Sequence, residues 1–332
     1  MNRKNWLFAL LVFFIGVSFV TTSCKKSDDS SSDGIDEWFE DSDFTGKSRN
    51  GAIGFTIGSN GYLTAGYDGT NFRNDSWKFT PTTGAWEKLA DFPGDARYDG
   101  VSFVIGDNAY VGTGIKGSKS YTKDFYKYDS KTNTWSKIAD YPGDASYGAI
   151  AFSLNGKGYV GTGYSEENDW SKEFYEYDPA TDKWSSMAAP FPGSKRVYGF
   201  TFTIDGVVYV GGGVSNNQFP KDFYKFDGAK WTRLQDLNRD DNSYTYDVTR
   251  KSAGVFVINN MGYVTIGSKS SVIGSTWKYN PKTDVWNDDH QSFLGSARDG
   301  AVSFSLNNAG YITTGKNGSS RFDDTWKFTP LR

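Results

Sequence analysis

The sequence predicts an all-β protein, a six-bladed β-propeller closed by an N-terminal strand. Three observations carry that expectation. First, six times along the chain a Phe is followed seven residues later by a Tyr and four after that by a Gly: Phe55–Tyr62–Gly66, Phe103–Tyr110–Gly114, Phe152–Tyr159–Gly163, Phe202–Tyr209–Gly213, Phe256–Tyr263–Gly267 and Phe304–Tyr311–Gly315. Second, the Phe-to-Phe spacings are 48, 49, 50, 54 and 48 residues, the period of an array of supersecondary units. Third, the last unit lacks its final strand, and a copy of that strand stands at the other end of the domain.

Each strand follows from its pattern. Three residues before every Phe is a small residue, Ala52, Gly100, Ala149, Gly199, Ala253 or Ala301, and two after it an aliphatic one, Ile57, Ile105, Leu154, Ile204, Ile258 or Leu306. Apolar bulk at alternate positions is strand periodicity. Turn residues such as Gly58-Ser59-Asn60-Gly61 then make a hairpin, and a second strand runs through the Tyr to the Gly. A third strand alternates aromatics (Trp77 and Phe79, Tyr126 and Tyr128, Tyr175 and Tyr177, Tyr224 and Phe226, Trp277 and Tyr279, Trp326 and Phe328). An acid precedes it in five copies, Asp75, Asp124, Glu173, Asp222 and Asp324, with Ser275 the exception. A fourth strand opens on Trp86, Trp135, Trp184, Trp231 or Trp286. Four antiparallel strands per unit make a propeller blade.

The sixth unit stops after its third strand. The segment from Trp38 to Gly46 mirrors Trp86 to Gly94, and Trp38 precedes Phe55 by the same 17 residues that separate Trp86 from Phe103. It is therefore expected to complete the last blade and satisfy an edge that would otherwise invite aggregation. These residues resemble the kelch repeat over 38 to 332. Only the fourth copy has paired glycines, Gly212-Gly213, at the point where that family usually shows them.

Residues 1–23 read as a targeting segment. Arg3 and Lys4 form a basic head, and the apolar run from Trp6 to Val20 is shorter than the ~20 residues a spanning helix needs. The small residues leading to Cys24, the only cysteine, resemble a bacterial lipoprotein signal, which implies a lipidated Cys24 as the mature N terminus. Residues 24–35 are a polar tether and 36–332 the propeller. An outer-membrane lipoprotein at the cell surface is expected, with a periplasm-facing position as the alternative. A lone Cys excludes an internal disulfide framework. Removing Arg3 and Lys4 leaves 34 basic against 39 acidic residues, with no basic cluster of the kind nucleic acid requires.

Function is expected on the face carrying the long loops between strands two and three and between blades. Six residues before each Phe stands Arg49, Arg97, Arg196, Arg250 or Arg298, with Ser146 in the third copy. Five guanidiniums at a pore mouth would clamp a carboxylate, with Tyr98 and Tyr147 beside them to stack on a ligand. The competing reading is that each Arg bridges to an acid of the neighbouring blade. The connection from Trp231 to Phe256 is longer than its counterparts and brings Arg239, Tyr244 and Tyr246, while Trp170 lies outside the repeat pattern. His290, the only histidine, is expected at the surface.

One His argues against multi-His metal sites and a Ser-His-Asp arrangement. It also excludes the copper chemistry of galactose oxidase, a kelch propeller with two His ligands. No cofactor and no metal are expected. Resemblance to bacterial N-acetylneuraminate epimerase implies a sugar mutarotase or epimerase as one function. The residues by themselves suggest a monomeric, non-catalytic binding module for a glycan or protein ligand.

Overall fold

The computed structural model describes residues 37–331 apart from 118–119 and 242–243. The expected leader, tether and lipidation at Cys24 lie outside the described residues. Six four-stranded antiparallel sheets follow one another as blades. Blade I comprises Ile53–Ile57, Asn60–Thr64, Ser76–Thr80 and Ala85–Lys88. Blade II comprises Val101–Ile105, Asn108–Gly112, Phe125–Asp129 and Thr134–Ile138, and blade III Ile150–Leu154, Lys157–Gly161, Phe174–Asp178 and Lys183–Ser186. Blade IV is Val197–Ile204, Val207–Val214, Tyr224–Phe226 and Trp231–Arg233, and blade V Gly254–Ile258, Met261–Thr265, Trp277–Asn280 and Val285–Asn287. Blade VI takes Val302–Leu306, Ala309–Thr313 and Asp324–Phe328 from the C terminus and Trp38–Asp43 from the N-terminal side.

The repeated Phe and Tyr are direct partners across the first hairpin of each blade, as in Phe55↔Tyr62 and Phe103↔Tyr110. Their rings stack at 5.2 Å and 4.9 Å in those two blades. The third-strand Tyr of the next blade then closes on the pair: Tyr128 lies 6.1 Å from Tyr62, and Tyr177 5.4 Å from Tyr110. In four blades the residue before this Tyr is Gly, where the neighbouring blade packs close. A Cβ on Gly61 would stand 2.8 Å from the Phe304 ring of blade VI. Each buried aromatic removes 150–250 Å² from water, roughly 4–6 kcal/mol at ~25 cal/mol per Å², an upper bound before entropy.

Closure is visible in the register, with Trp38↔Phe328, Phe39↔Lys327 and Asp43↔Asp324 and a bulge between Glu40 and Ser42. Trp38 also makes the contact of an ordinary fourth-strand Trp. Its indole N–H donates to Gln291 O at 3.1 Å, as Trp135 donates to Ala90 O at 3.1 Å and Trp184 to Ala139 O at 3.0 Å. The expected surface position of His290 is corrected here. Its side chain is buried, with Nδ1 2.8 Å from Glu37 Oε1 and its ring edge-on to Tyr263 and Phe328. The reason is tertiary: the closing strand brings Glu37 down over the end of blade V.

Candidate functional site

The arginine ring is closed off from solvent rather than presented at the pore mouth. Arg49, Arg97, Arg196, Arg250 and Arg298 are all at most 1 % exposed. Each donates Nε to the carbonyl two residues earlier and Nη1 to the carbonyl sixteen residues later, for example Lys47 O at 2.8 Å and Ala65 O at 2.9 Å for Arg49. Four of them also hold an acid of their own blade, correcting the expectation of a neighbouring one. Arg49 grips Asp75 through both Nη atoms at 2.6 and 2.8 Å, and Arg97 grips Asp124 at 2.6 and 2.9 Å. Arg196 reaches Asp222 at 2.7 Å, and Arg298 holds both oxygens of Asp324. An aromatic ring covers the same four guanidiniums, Phe44, Phe92, Phe191 and Phe293. Burial by itself would raise the four carboxyls, but the guanidinium's charge and hydrogen bonds reverse this and hold them below the usual carboxylate range. Arg250, whose acid is replaced by Ser275, has only neutral oxygens around it, and burial pushes it down to about 10 against the pull of Asp247.

The inserted segment after Trp231 also misses the pore. It forms a hairpin, Asn238–Asp240 with Thr245–Asp247. Tyr246 is buried against Trp277 and donates to Asp236 O at 2.7 Å, while the Tyr244 hydroxyl donates to Trp286 O on the outermost strand of blade V. Arg239 pairs with Asp241 within the hairpin. Two aromatic side chains with a large flat blade edge beneath them are more stable packed there than held over a pore.

Tyr98 and Tyr147 do come together at the mouth. Phe72 stacks on Tyr98 at 5.5 Å and Tyr67 lies 5.8 Å from it. Tyr147 contacts Tyr121 at 5.0 Å, Tyr164 at 5.5 Å and Tyr198 at 5.7 Å. Tyr67, Phe72, Tyr98, Tyr121, Tyr147 and Tyr198, with Ile115, enclose an open bowl of about 410 Å³. Trp170 extends the line outward, edge-on to Tyr164 at 5.3 Å and half-buried.

Beneath the bowl, one residue per blade lies two positions after the Arg or Ser of the ring: Gly51, Asp99, Gly148, Tyr198, Ser252 and Gly300, all with φ between 51° and 62°. Backbone bonds run from one to the next around the axis, Asp99 N to Gly51 O at 2.8 Å, Gly148 N to Asp99 O at 2.8 Å and Tyr198 N to Gly148 O at 2.7 Å. Left-handed backbone suits Gly; Asp99, Tyr198 and Ser252 adopt it at a cost, which concentrates at functional sites. The Tyr198 hydroxyl donates to Asp99 Oδ2 at 2.7 Å. Enclosure by protein pushes the Asp99 carboxyl up to about 6, against the opposing effect of the Tyr198 bond and of Lys316 and Lys251. The same enclosure holds the Tyr198 phenol well above its ordinary value.

The other side of the mouth is charged. Asp299 pairs in backbone register with Lys316, and Arg321 lies over the Tyr67 ring at 4.9 Å and donates to Asn50 Oδ1. The bowl is therefore aromatic on blades I to IV, and beside it Lys251, Lys316 and Asp299 all act on the Asp99 carboxyl, a side of mixed charge. Asp99 and Tyr198 were missed from sequence, although a signal existed: they stand where three other repeats carry Gly. Among the described residues no three His, Cys, Asp or Glu side chains are grouped to hold a metal.

A family model for N-acetylneuraminate epimerase matches residues 90–230, a segment that contains Tyr98, Asp99, Tyr147 and Tyr198. The solved structure of YjhT superposes with a TM-score of 0.69 at 20% identity, covering 85% of this chain and 95% of that one. The chain is a kelch-type propeller resembling N-acetylneuraminate epimerase. No curated protein matches its sequence. The likeness of this kelch propeller to YjhT is one of fold, and the family match falls on blades II to IV, three of the four blades that build the aromatic half of the bowl.

Proposed function

We propose that the protein binds a carbohydrate, with a preference for acidic sugars, at the pore mouth, held at the outer membrane by a lipid on Cys24. The observation that carries this is the bowl itself. Tyr98, Tyr147 and their neighbours offer faces on which the C–H side of a sugar ring stacks, and Arg321, over the Tyr67 ring, with Lys251 and Lys316, whose charges act on Asp99, supplies the cations that would favour a carboxylate. The aromatic rings stand on one side of the mouth only, and that asymmetry would orient a ligand in one way. Titration with a panel of neutral and acidic sugars tests it. Binding should fall about tenfold in Tyr98→Ala and in Tyr147→Ala and weaken with salt for acidic sugars only. Failure of every sugar, with capture of a protein ligand at the same face instead, would replace the carbohydrate by a protein partner.

A second reading is favoured by the Asp99–Tyr198 pair and the family resemblance: the site interconverts sugar anomers, as the name N-acetylneuraminate epimerase describes for the matching family. Ring opening needs a base for the anomeric hydroxyl proton and an acid for the ring oxygen. A carboxyl near 6 with a phenol beside it is suited to such exchange near neutral pH. Anomer exchange of N-acetylneuraminate followed by NMR decides between the readings. Acceleration that disappears in Asp99→Asn makes this an enzyme; binding without acceleration makes it a binding module.

A further inference from the structure

One blade lacks the buried arginine and keeps the backbone frame, an aromatic ring and an acid at the positions that surround it. In blade III Ser146 replaces the Arg, yet the backbone frame is unchanged. Gly114 N donates to Ser146 O at 2.7 Å, as Gly66 N does to Arg97 O at 2.7 Å, and Ser146 N reaches Thr122 O at 3.2 Å, as Arg97 N reaches Arg73 O at 3.2 Å. The carbonyls of Asp144 and Thr162 occupy the repeat positions that accept from Nε and Nη1 in the other blades. Glu173 occupies the position of Asp75, Asp124, Asp222 and Asp324. Tyr141 stands in place of Phe92, whose ring centre lies 4.9 Å from the Arg97 guanidinium carbon.

Ser146 fills none of this space. Its Oγ is buried without a hydrogen-bond partner, a state unique to this blade because no other blade has a side chain ending there. Thr162 Oγ1 is also unpartnered, as is Thr113 Oγ1 at the equivalent position of blade II, so that feature is not particular to blade III. A cavity of about 390 Å³ opens between Tyr141, Asp144, Ser146, Thr162, Trp170 and Glu173. Glu173 is exposed, whereas the four paired Asp side chains are 9–22 % exposed. Lys172 and Lys195 stand at the rim, and among the described ion pairs neither approaches Glu173 within 4 Å.

We propose that this vacated seat binds a guanidinium group supplied from outside, either a small guanidinium compound or the arginine side chain of a peptide. The chemistry selects guanidinium over ammonium. A planar fork meets a carboxylate through two bonds, a carbonyl on each flank and an aromatic face at once, whereas an ammonium is a compact, strongly hydrated point charge. The site is separate from the pore mouth, so it stands whether or not a sugar binds there.

The test is calorimetric titration of the full chain with methylguanidinium and acetyl-Gly-Arg-Gly-amide, with methylammonium and the Lys tripeptide as controls. Saturable binding of a guanidinium probe at least tenfold tighter than its ammonium control is expected. It should weaken at least tenfold in Glu173→Gln and vanish in Ser146→Arg, which seats its own guanidinium. A tighter tripeptide assigns the seat to an arginine side chain, and equal or tighter methylguanidinium assigns it to a small molecule. Absence of saturable binding by both guanidinium probes overturns the proposal, as does binding that survives Glu173→Gln. That exposed substitution decides the matter even if Ser146→Arg fails to fold.

Discussion

Glu37 and His290 face each other at 2.8 Å, and that contact sits in a clasp that ties the first described residue to the end of blade V. The Glu37 carboxylate also accepts from the backbone N–H of Gln291 at 2.7 Å and of Leu331 at 3.0 Å, so one side chain joins the closing strand's start, the end of blade V and the segment after the last strand. Trp38, next to it, is buried among Phe256, Phe293 and Phe328.

Opening the ring should therefore be costly. Trp38→Ala is expected to destabilise the domain by about 3–5 kcal/mol, the range for a buried large aromatic. Deleting residues 35–46 should abolish cooperative unfolding because blade VI loses an entire strand. Thermal denaturation followed by near-UV circular dichroism checks both; an unchanged melting temperature in either would mean the ring does not depend on its N-terminal strand.

Arg97→Met should cost about 3–5 kcal/mol at neutral pH, since it leaves the Asp124 charge enclosed without its partner. The sign with pH is fixed by the lowered carboxyl. Asp124 titrates lower in the folded than in the unfolded chain, so the pair's stabilisation is present above the ordinary carboxylate range near ~4 and is lost as pH falls through the folded value. Urea denaturation at pH 7 and pH 3 should accordingly show the wild-type advantage over Arg97→Met shrinking in acid.

Ser275→Asp restores the acid that blade V lacks. Ser275 Oγ already accepts from Arg250 at 3.0 Å, so an aspartate there meets a prepared guanidinium. A gain of about 1–2 kcal/mol is expected, in line with hydrogen bonds to charged groups. The gain should be present at pH 7 and vanish in acid as the new carboxylate is protonated, measured by the same denaturation series.

Asp99 has the opposite sign. Its carboxyl lies near 6 in the folded protein against an ordinary value of ~3.9, so between those values the folded state holds the extra proton. Stability contributed by that proton is lost as pH rises through the window and stays lost above it. Asp99→Asn should therefore stabilise the protein by about 1–2 kcal/mol at pH 8, allowing for solvent in the pore, and by little at pH 4. Melting curves at the two pH values check it, and a uniform effect would refute the assignment.

The repeat by itself determined the blade count, the strand order, the Phe–Tyr partnership and the closing strand. Period-two aromatics and a fixed 48–54-residue spacing leave one way to bury each face, and Trp38 was readable because it restores a missing register. Tyr98 and Tyr147 stood out only as aromatic neighbours of the repeated position, and that their rings line one bowl is a matter of the fold. Only the tertiary structure decided which way the arginines point. A guanidinium at the start of an inner strand reads equally well as a clamp or a bridge until the acid 26 or 27 residues later is folded onto it, and desolvating five cations is tolerable only when carbonyls and carboxylates meet them. Tyr244, Tyr246 and His290 went inward for a similar reason, because the surfaces that cover them belong to distant segments. The pairing of Asp99 with Tyr198 spans two blades and 99 residues, and no local pattern encodes it; it exists because the ring closes and brings two left-handed turns to one axis.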